Sequence, residues 1–331
     1  LGYAFIISYV LKALFDSVTG NLMTVDTGAW FGAFSGSDYS VIPFHILVVV
    51  GTLLTLLVGA KGIEKSNKIM MPVFFIIFVI LAVRVALLPG AMEGYKFMFT
   101  PDWSALKNPM VWIWAMGQAF FSLSITGSGM IVYGAYLDKN VDIPQASLRT
   151  AFFDTCAAMV AALAIMPAVF AYGIGAGRGP GLVFLALPKV FQQMPMGQFF
   201  AIIFFVAVLF AGITSLINMM EAVAESWEKN FNISRKVAVL VSCALALGVG
   251  VFIEAEPKVG AWMDFVSIII TPFGAVLGAI SVYYILGWDE IRKELEQGHG
   301  KLSDTFGSAA KFLYVPLTVI IMVLGLIYGG I

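Results

Sequence analysis

Three apolar stretches of the chain carry polar groups that could bind an ion or a small polar molecule. The stretch "SLSITGSGMIVYGAYL" (122–137) places hydroxyls and glycines inside a run apolar enough to cross a membrane. Each glycine weakens a helix by roughly 1 kcal/mol relative to alanine, so we predict a helix break at residues 124–129. Broken backbone is tolerated in a membrane only where it faces protein or a wet cavity. The alternative is a kinked structural helix whose small residues allow close packing.

A second candidate ligand is Asp154, within the apolar stretch "AFFDTCAAMVAALAIMPAVFAYG". A carboxylate inside a spanning helix costs roughly 2.5–3.5 kcal/mol on insertion scales, so it is expected to face a partner or a cavity. A bound cation would be such a partner. The alternative is an interfacial carboxylate near a helix end, because Arg149 lies shortly before it in the sequence.

The third stretch, "LFAGITSLINMMEA", places Ala211, Thr214 and Ser215 on one face of a helix. Two hydroxyls and a freed carbonyl are oxygen ligands of the kind that a hard ion such as Na⁺ prefers. Ser and Thr also pack helices together, so a purely structural role stays open. The sequence has no HExxH, GxSxG or Walker motif in a plausible context, and we therefore predict that the protein is not an enzyme.

The composition sets the class of protein. The chain has 331 residues, is 60% hydrophobic and 12% charged, and has a mean hydropathy of +0.94. A soluble domain is about 25% charged, so this is predicted to be an all-α integral membrane protein. The apolar segments predict about nine membrane helices, at residues 1–18, 41–60, 70–89, 109–136, 147–175, 198–224, 236–253, 262–287 and 311–330.

Lys and Arg residues are concentrated in alternate loops. If the loop "KGIEKSNK" (61–68) is cytoplasmic, alternation of the segments places 12 of the 19 basic residues on the cytoplasmic side. An excess of Lys and Arg marks the cytoplasmic loops of membrane proteins. We therefore predict a multi-pass protein of the cell membrane. The net charge of -1 and the absence of a basic tail give no reason to expect a nucleic-acid partner.

Several stretches together carry a family resemblance. They include "GQAFFSLSITGSGMIVYGAYL", "FFDTCAAMVAALAIMPAVFA", "FFVAVLFAGITSLINMMEA", "KGIEKSNKIMMPVFFIIF" and "WMDFVSIIITPFGA". In order and spacing they resemble the neurotransmitter:sodium symporter family, in its bacterial branch, over essentially the whole chain. The resemblance implies a fold of two inverted five-helix repeats, with substrate and sodium beside two broken helices.

The resemblance also implies where the chain lies in that fold. Residues 1–331 would form a single transporter domain that begins inside the third helix, so the first two helices would be missing. Residues 1–89 would be the remainder of the first repeat, 109–287 the second repeat and 308–331 a C-terminal helix. We expect residues 1–331 alone not to transport.

The family's functional positions carry over to this chain as follows. The implied substrate-binding residues are Tyr3, Phe121, Ser122, Ser124 and Gly127, with Tyr3 on the substrate carboxylate and Phe121 as an aromatic lid. The implied sodium ligands are Ser122 and Asp154 at one site and Ala211, Thr214 and Ser215 at a second. Gln118 and Asp264 match the outer gate.

Two departures from the family pattern bear on specificity. Gly127 stands where relatives carry an aromatic residue that walls the pocket, which implies a larger pocket and a bulky or aromatic amino acid. Ala158 occupies the position that is Ser in chloride-dependent relatives. The resemblance therefore gives no support to chloride dependence, and the charge of Asp154 could replace that of the anion.

The expected function is sodium-coupled symport of an amino acid or a related amine by alternating access. The expected location is the lipid bilayer of the bacterial inner membrane. Two alternatives remain, a sodium-independent permease and a non-transporting sensor of the same fold. The sequence does not indicate an oligomeric state or a sodium stoichiometry.

Overall fold

The computed structural model describes residues 1–125, 129–173 and 182–328, and every regular element among them is helical. The α-helices are α1 (Gly2–Val18), α2 (Thr27–Ser35), α3 (Ile42–Val58), α4 (Ala60–Ala86), α5 (Ala91–Phe99), α6 (Pro109–Ser122), α7 (Gly129–Ala135), α8 (Ile143–Ala171), α9 (Leu187–Gln193), α10 (Gly197–Phe231), α11 (Arg235–Gly250), α12 (Glu256–Phe265), α13 (Thr271–Ile280), α14 (Trp288–His299), α15 (Asp304–Ala309) and α16 (Val315–Tyr328).

Short helical segments of other types lie beside these helices. Turns of 3₁₀-helix are found at Asn21–Met23, Trp103–Lys107 and Val251–Ile253. Stretches of π-helix are found at Leu182–Ala186, Val266–Ile270, Ser281–Leu286 and Ala310–Tyr314. Val266–Ile270 joins α12 to α13, and Ala310–Tyr314 joins α15 to α16. Ser281–Leu286 directly follows α13.

Six helical runs are long and apolar enough to cross a membrane. They are Lys61–Ala86, Ile143–Ala171, Gly197–Phe231, Arg235–Ile253, Pro257–Leu286 and Asp304–Tyr328. A spanning helix needs roughly 20 mainly apolar residues, and these runs reach or approach that length. The shorter helices α1 and α3 and the α6–α7 pair account for the other predicted segments. The prediction of an all-α integral membrane protein is confirmed.

Two predicted connections are helical instead. The segment 61–68 lies inside α4, which begins directly after Gly59 with its positive φ of 81°. Glu64 and Lys68 are paired across one turn at 2.6 Å, a spacing that favours helix. In the same way α10 continues past its apolar part to Phe231. The next residue, Asn232, caps the helix in the left-handed conformation, with a φ of 52°. Charged residues with high helix propensity extend these helices beyond their apolar parts.

The helices group into two compact units. The first consists of Leu1–Pro101 and Ala157–Ala261, and the second of Asp102–Cys156 and Trp262–Ile331. In the first unit, α10 packs against α1, α4 and α11, and α3 packs against α1 and α11. In the second unit, α16 packs against α6 and α13. The division into inverted repeats at 1–89 and 109–287 stays a prediction.

An ion pair between the buried Glu221 and the part-buried Arg235 links three helices in the first unit. Arg235, at the start of α11, donates to both carboxylate oxygens of Glu221 on α10, at 2.9 and 2.7 Å. The same guanidinium donates to the carbonyl of Leu56, in the last turn of α3, at 3.2 Å. The Glu221 side chain is fully buried. The guanidinium of Arg235 therefore stabilises a carboxylate that is shielded from water.

We predict that Arg235→Met lowers the free energy of unfolding by about 3–5 kcal/mol, because it leaves the fully buried Glu221 carboxylate without the guanidinium that binds both of its oxygens. Thermal unfolding in detergent would measure the loss. The matched control is Asp38→Ala, which breaks the solvent-exposed pair between Asp38 and Lys258. An exposed pair contributes about 0–1 kcal/mol, so the control should unfold close to the wild-type temperature. Equal losses in the two variants would contradict this account of the ion pair.

Candidate ion and substrate site

The α6 helix ends inside the apolar stretch where the break is predicted. Its last residue is Ser122, and α7 begins at Gly129. Ser124 has a φ of 54°, a left-handed conformation that L-residues other than Asn, Asp and Gly rarely adopt. The helix break is confirmed at the described residues Leu123–Ile125, whereas residues 126–128 lie outside the described part of the chain.

The first group of candidate sodium ligands comes together beside this break. Ser122 Oγ donates a hydrogen bond of 2.6 Å to Asp154 Oδ2 on α8. Asp154 is more than ten residues from either end of the 29-residue α8, so it does not lie near a helix end. Among the described residues it forms no ion pair with Arg149. This position favours the interpretation of Asp154 as a binding-site carboxylate over its interpretation as a carboxylate at the membrane interface.

The second group of candidate sodium ligands lies on α10. The hydroxyls of Thr214 and Ser215 both donate to the carbonyl of Ala211, at 2.8 and 3.1 Å. Thr214 is buried, with 5% of its surface exposed. The phenol of Tyr3, from α1, lies near the hydroxyl of Ser215. Three predicted sodium ligands and one predicted substrate ligand therefore share one place in the first unit.

Close packing of α1 on α10 holds this second group together. A Cβ atom added to Gly212 would lie 1.9 Å from Cδ1 of Ile7, which α1 carries one turn after Tyr3. Only glycine fits at this position without a shift of Ile7. The absence of a side chain at residue 212 lets α1 approach α10 closely enough for Tyr3 to reach Ser215.

The ligand sets fit a hard cation. One group offers a carboxylate and a hydroxyl, and the other offers a carbonyl, two hydroxyls and a phenol. Oxygen ligands of this kind suit alkali and alkaline-earth ions, whereas thiolate and imidazole suit Zn²⁺ and other transition metals. Within the described residues, no group of three or more His, Cys, Asp or Glu is placed to hold a metal ion.

The remaining predicted positions are less closely assembled. Gln118 and Asp264 are both exposed, and within the part of the chain that the structure describes no hydrogen bond joins them. Their role as an outer gate stays a prediction. Phe121, the predicted lid, has 56% of its surface exposed, and Ser124 is exposed beside it. Gly127 lies outside the described residues.

Two features near these groups were not predicted from the sequence. Gly212 stands in the middle of the motif that holds Ala211 and Thr214, and a small residue between ligands could have indicated a close helix contact. Phe120, next to the predicted lid, stacks on Tyr314 from a helix much later in the chain. No local pattern indicates that contact.

The fold and the two oxygen-rich groups define an all-helical, multi-pass membrane protein. The model of the "Sodium:neurotransmitter symporter family" matches residues 40–328. An uncharacterized sodium-dependent transporter of Bacillus subtilis, YhdH, is 33% identical over 338 residues, which cover 97% of this chain and 74% of that protein. The chain belongs to the sodium:neurotransmitter symporter family, a family of transporters and not of enzymes.

Two further comparisons agree with this assignment. An uncharacterized sodium-dependent transporter of Methanocaldococcus jannaschii is 30% identical over 296 residues, which cover 84% of this chain but only 58% of that protein. The crystal structure of MhsT in complex with L-phenylalanine has a TM-score of 0.84 and 29% sequence identity, and the match covers 98% of this chain and 77% of that one. The fold is therefore the helical transporter fold predicted from the resemblance.

We predict that Gly212→Ala destabilises the protein by about 1–3 kcal/mol, because the new methyl group overpacks the contact with Ile7. The matched control is Gly248→Ala on α11, where an added Cβ has no neighbour within 4 Å. This control should gain about 0.5–1 kcal/mol from the higher helix propensity of alanine. Thermal unfolding of each variant would measure the change.

The same contact can be tested by rescue. Ile7→Val removes Cδ1, the atom closest to the added methyl group, and should restore most of the stability lost in Gly212→Ala. A double variant no more stable than Gly212→Ala alone would show that the contact with Ile7 does not determine the need for glycine.

Proposed function

We propose that the complete gene product is a sodium-coupled symporter of an amino acid or a related amine, which it carries across the bacterial inner membrane by alternating access. The observation that carries this proposal is the 2.6 Å hydrogen bond from Ser122 to Asp154 at the break in α6. A carboxylate in the middle of a spanning helix is costly unless a cation or another partner compensates its charge. Family membership supports Na⁺ as that cation.

The geometry around Ser122 favours a cation as co-substrate. The residue is the last of α6, and a helix C-terminus carries a partial negative charge of about half an elementary charge. The carboxylate of Asp154 adds a full negative charge at the same place. Two negative sources side by side favour an ion such as Na⁺ and disfavour an anion. We therefore propose that transport does not require chloride.

The second group would bind a further Na⁺ with neutral ligands. The hydroxyl oxygens of Thr214 and Ser215 lie 2.8 and 3.1 Å from the carbonyl oxygen of Ala211. The lone pairs of both hydroxyl oxygens could coordinate the cation while the helix remains intact. Each positive charge that enters down a potential of 100 mV contributes about 2.3 kcal/mol, which could drive substrate uptake against its gradient.

We further propose that the substrate is a bulky or aromatic amino acid. Tyr3 carries a phenol beside Ser215 that could bind a substrate carboxylate, as the family resemblance implies. The similar protein MhsT was crystallised with L-phenylalanine. Gly127, in place of an aromatic residue, would leave room for a large side chain.

We predict that Asp154→Asn abolishes most of the Na⁺ dependence of substrate binding, because the amide keeps the shape of the side chain but loses its charge. Binding of radiolabelled L-phenylalanine to the complete gene product in proteoliposomes, with Na⁺ or K⁺, would measure this. The matched control is Asp102→Asn, an exposed carboxylate in the same unit that accepts hydrogen bonds from Ser104. It should bind as the wild type does.

The same assay separates the alternatives. Wild-type binding that is equal in Na⁺ and K⁺ would indicate a sodium-independent permease or a sensor and would contradict the proposal. Loss of Na⁺ dependence in Asp102→Asn as well as in Asp154→Asn would show that the effect is not specific to the site.

We also predict that the substrate range depends on Gly127. Competition against labelled L-phenylalanine should rank Phe, Trp and Leu above Gly and Ala by at least about tenfold, since one or more buried methylenes contribute about 1–3 kcal/mol. Gly127→Phe should reverse this ranking by filling the pocket. A wild-type protein that binds only glycine or alanine would contradict the proposed substrate class and leave sodium coupling unaffected.

A further inference from the structure

An aromatic contact anchors the end of α6 in the second unit. Phe120 is buried, and its ring stacks on that of Tyr314 with centroids 6.1 Å apart and ring planes 11° apart. Tyr283 packs its edge against the same Tyr314 ring, with a centroid distance of 6.0 Å and an angle of 73°. Offset stacking and edge-to-face contact are the preferred arrangements of aromatic pairs. The Tyr314 ring therefore packs against two other rings, those of Tyr283 and Phe120.

The backbone of Phe120 closes the helix break. Its carbonyl accepts the amide of Ile125 at 3.0 Å, a wide turn that ends α6. Beyond Phe120 the chain becomes exposed at Phe121 and at Ser124. Phe120 is thus the buried residue from which the broken segment begins, and Ser122 follows it by two positions.

The two tyrosines come from π-helical stretches. Tyr283 lies in Ser281–Leu286, and Tyr314 is the last residue of Ala310–Tyr314. A π-helical turn holds more residues than an α-helical turn, so it changes the direction in which the following side chains point. Such turns are costly and are often found at functional sites. Here the Tyr314 ring lies against Phe120 near the end of α6, and the Tyr283 ring lies against Tyr314.

We propose that Tyr314 is a positioning residue for the sodium ligands Ser122 and Asp154. Its ring fixes Phe120, so α6 ends at Ser122 with the hydroxyl facing the carboxylate. Without that ring, Phe120 can rotate and the break can move along the helix. Ser122 then spends less time beside Asp154. This inference rests on the proposed function, because it assigns Tyr314 to the same site.

The experiment compares Tyr314→Leu with Tyr314→Phe in the complete gene product. The measurement is the Na⁺ concentration that gives half of the maximal L-phenylalanine binding. Tyr314→Leu removes the ring and should raise this concentration by about two- to tenfold, the range expected for one aromatic pair. Tyr314→Phe keeps the ring and should behave as the wild type does. Substrate affinity at saturating Na⁺ should change less than the half-saturating Na⁺ concentration in Tyr314→Leu, and not at all in Tyr314→Phe.

The controls distinguish positioning from general damage. Tyr328→Leu removes an exposed tyrosine from the same helical run and should leave the Na⁺ dependence unchanged. A merely destabilised protein would bind less substrate in total, with the same half-saturating Na⁺ concentration. If Tyr314→Leu does not fold, Tyr314→Met serves instead, since it fills similar space without a ring face.

The outcomes separate this inference from the proposed function. Equal binding in Na⁺ and K⁺ by the wild type would overturn both. A Na⁺-dependent wild type with an unchanged half-saturating concentration in Tyr314→Leu would overturn the role of Tyr314 alone. So would an equal shift in Tyr314→Phe and Tyr314→Leu.

Discussion

The constraint on which this structure depends is that backbone polar groups in the hydrocarbon region need partners within the protein. The end of α6 meets it without continuing the helix. The amides of Leu123, Ser124 and Ile125 donate to the carbonyls of Ala119, Phe121 and Phe120. At Leu123–Ile125 the break is therefore hydrogen-bonded, and the end of α6 can present a hydroxyl to a carboxylate.

The second group of ligands meets the same constraint in a different way. There α10 is unbroken, and the hydroxyls of Thr214 and Ser215 bond back to a carbonyl of their own helix. Serine and threonine commonly form such bonds inside helices, where they satisfy the hydroxyl locally. The geometry of this group depends instead on a neighbour, because Gly212 lets α1 and Tyr3 approach. One group is made by interrupting a helix and the other by packing two helices closely.

Much of this arrangement could be predicted from local sequence signals. Runs of apolar residues predicted the membrane helices, and the hydroxyls and glycines after Ser122 predicted the break. The extension of α4 over Lys61–Lys68 could not be read from hydropathy, since charged residues of high helix propensity form it. The role of Tyr3 came from a family resemblance, whereas Asp154 was already a candidate as a carboxylate within an apolar stretch. The structure adds the hydrogen bond from Ser122 to Asp154 and places Tyr3 near Ser215.

Contacts between distant parts of the chain could not be predicted in this way. The stack of Phe120 on Tyr314 joins two helices whose sequences give no sign of each other. The packing of Ile7 against Gly212 likewise depends on how α1 lies on α10. Such contacts follow from tertiary structure.

The Arg235 side chain shows how chemical similarity can mislead when sequences of this family are compared. Lysine is usually scored as the mildest replacement for arginine. At this position one planar guanidinium reaches both oxygens of Glu221 and also the Leu56 carbonyl. An ammonium group lacks that fixed fork of donors. Replacing Arg235 by lysine would keep the charge but weaken the link between α3, α10 and α11. A sequence alignment would score this replacement as neutral, although it would destabilise the junction of the three helices.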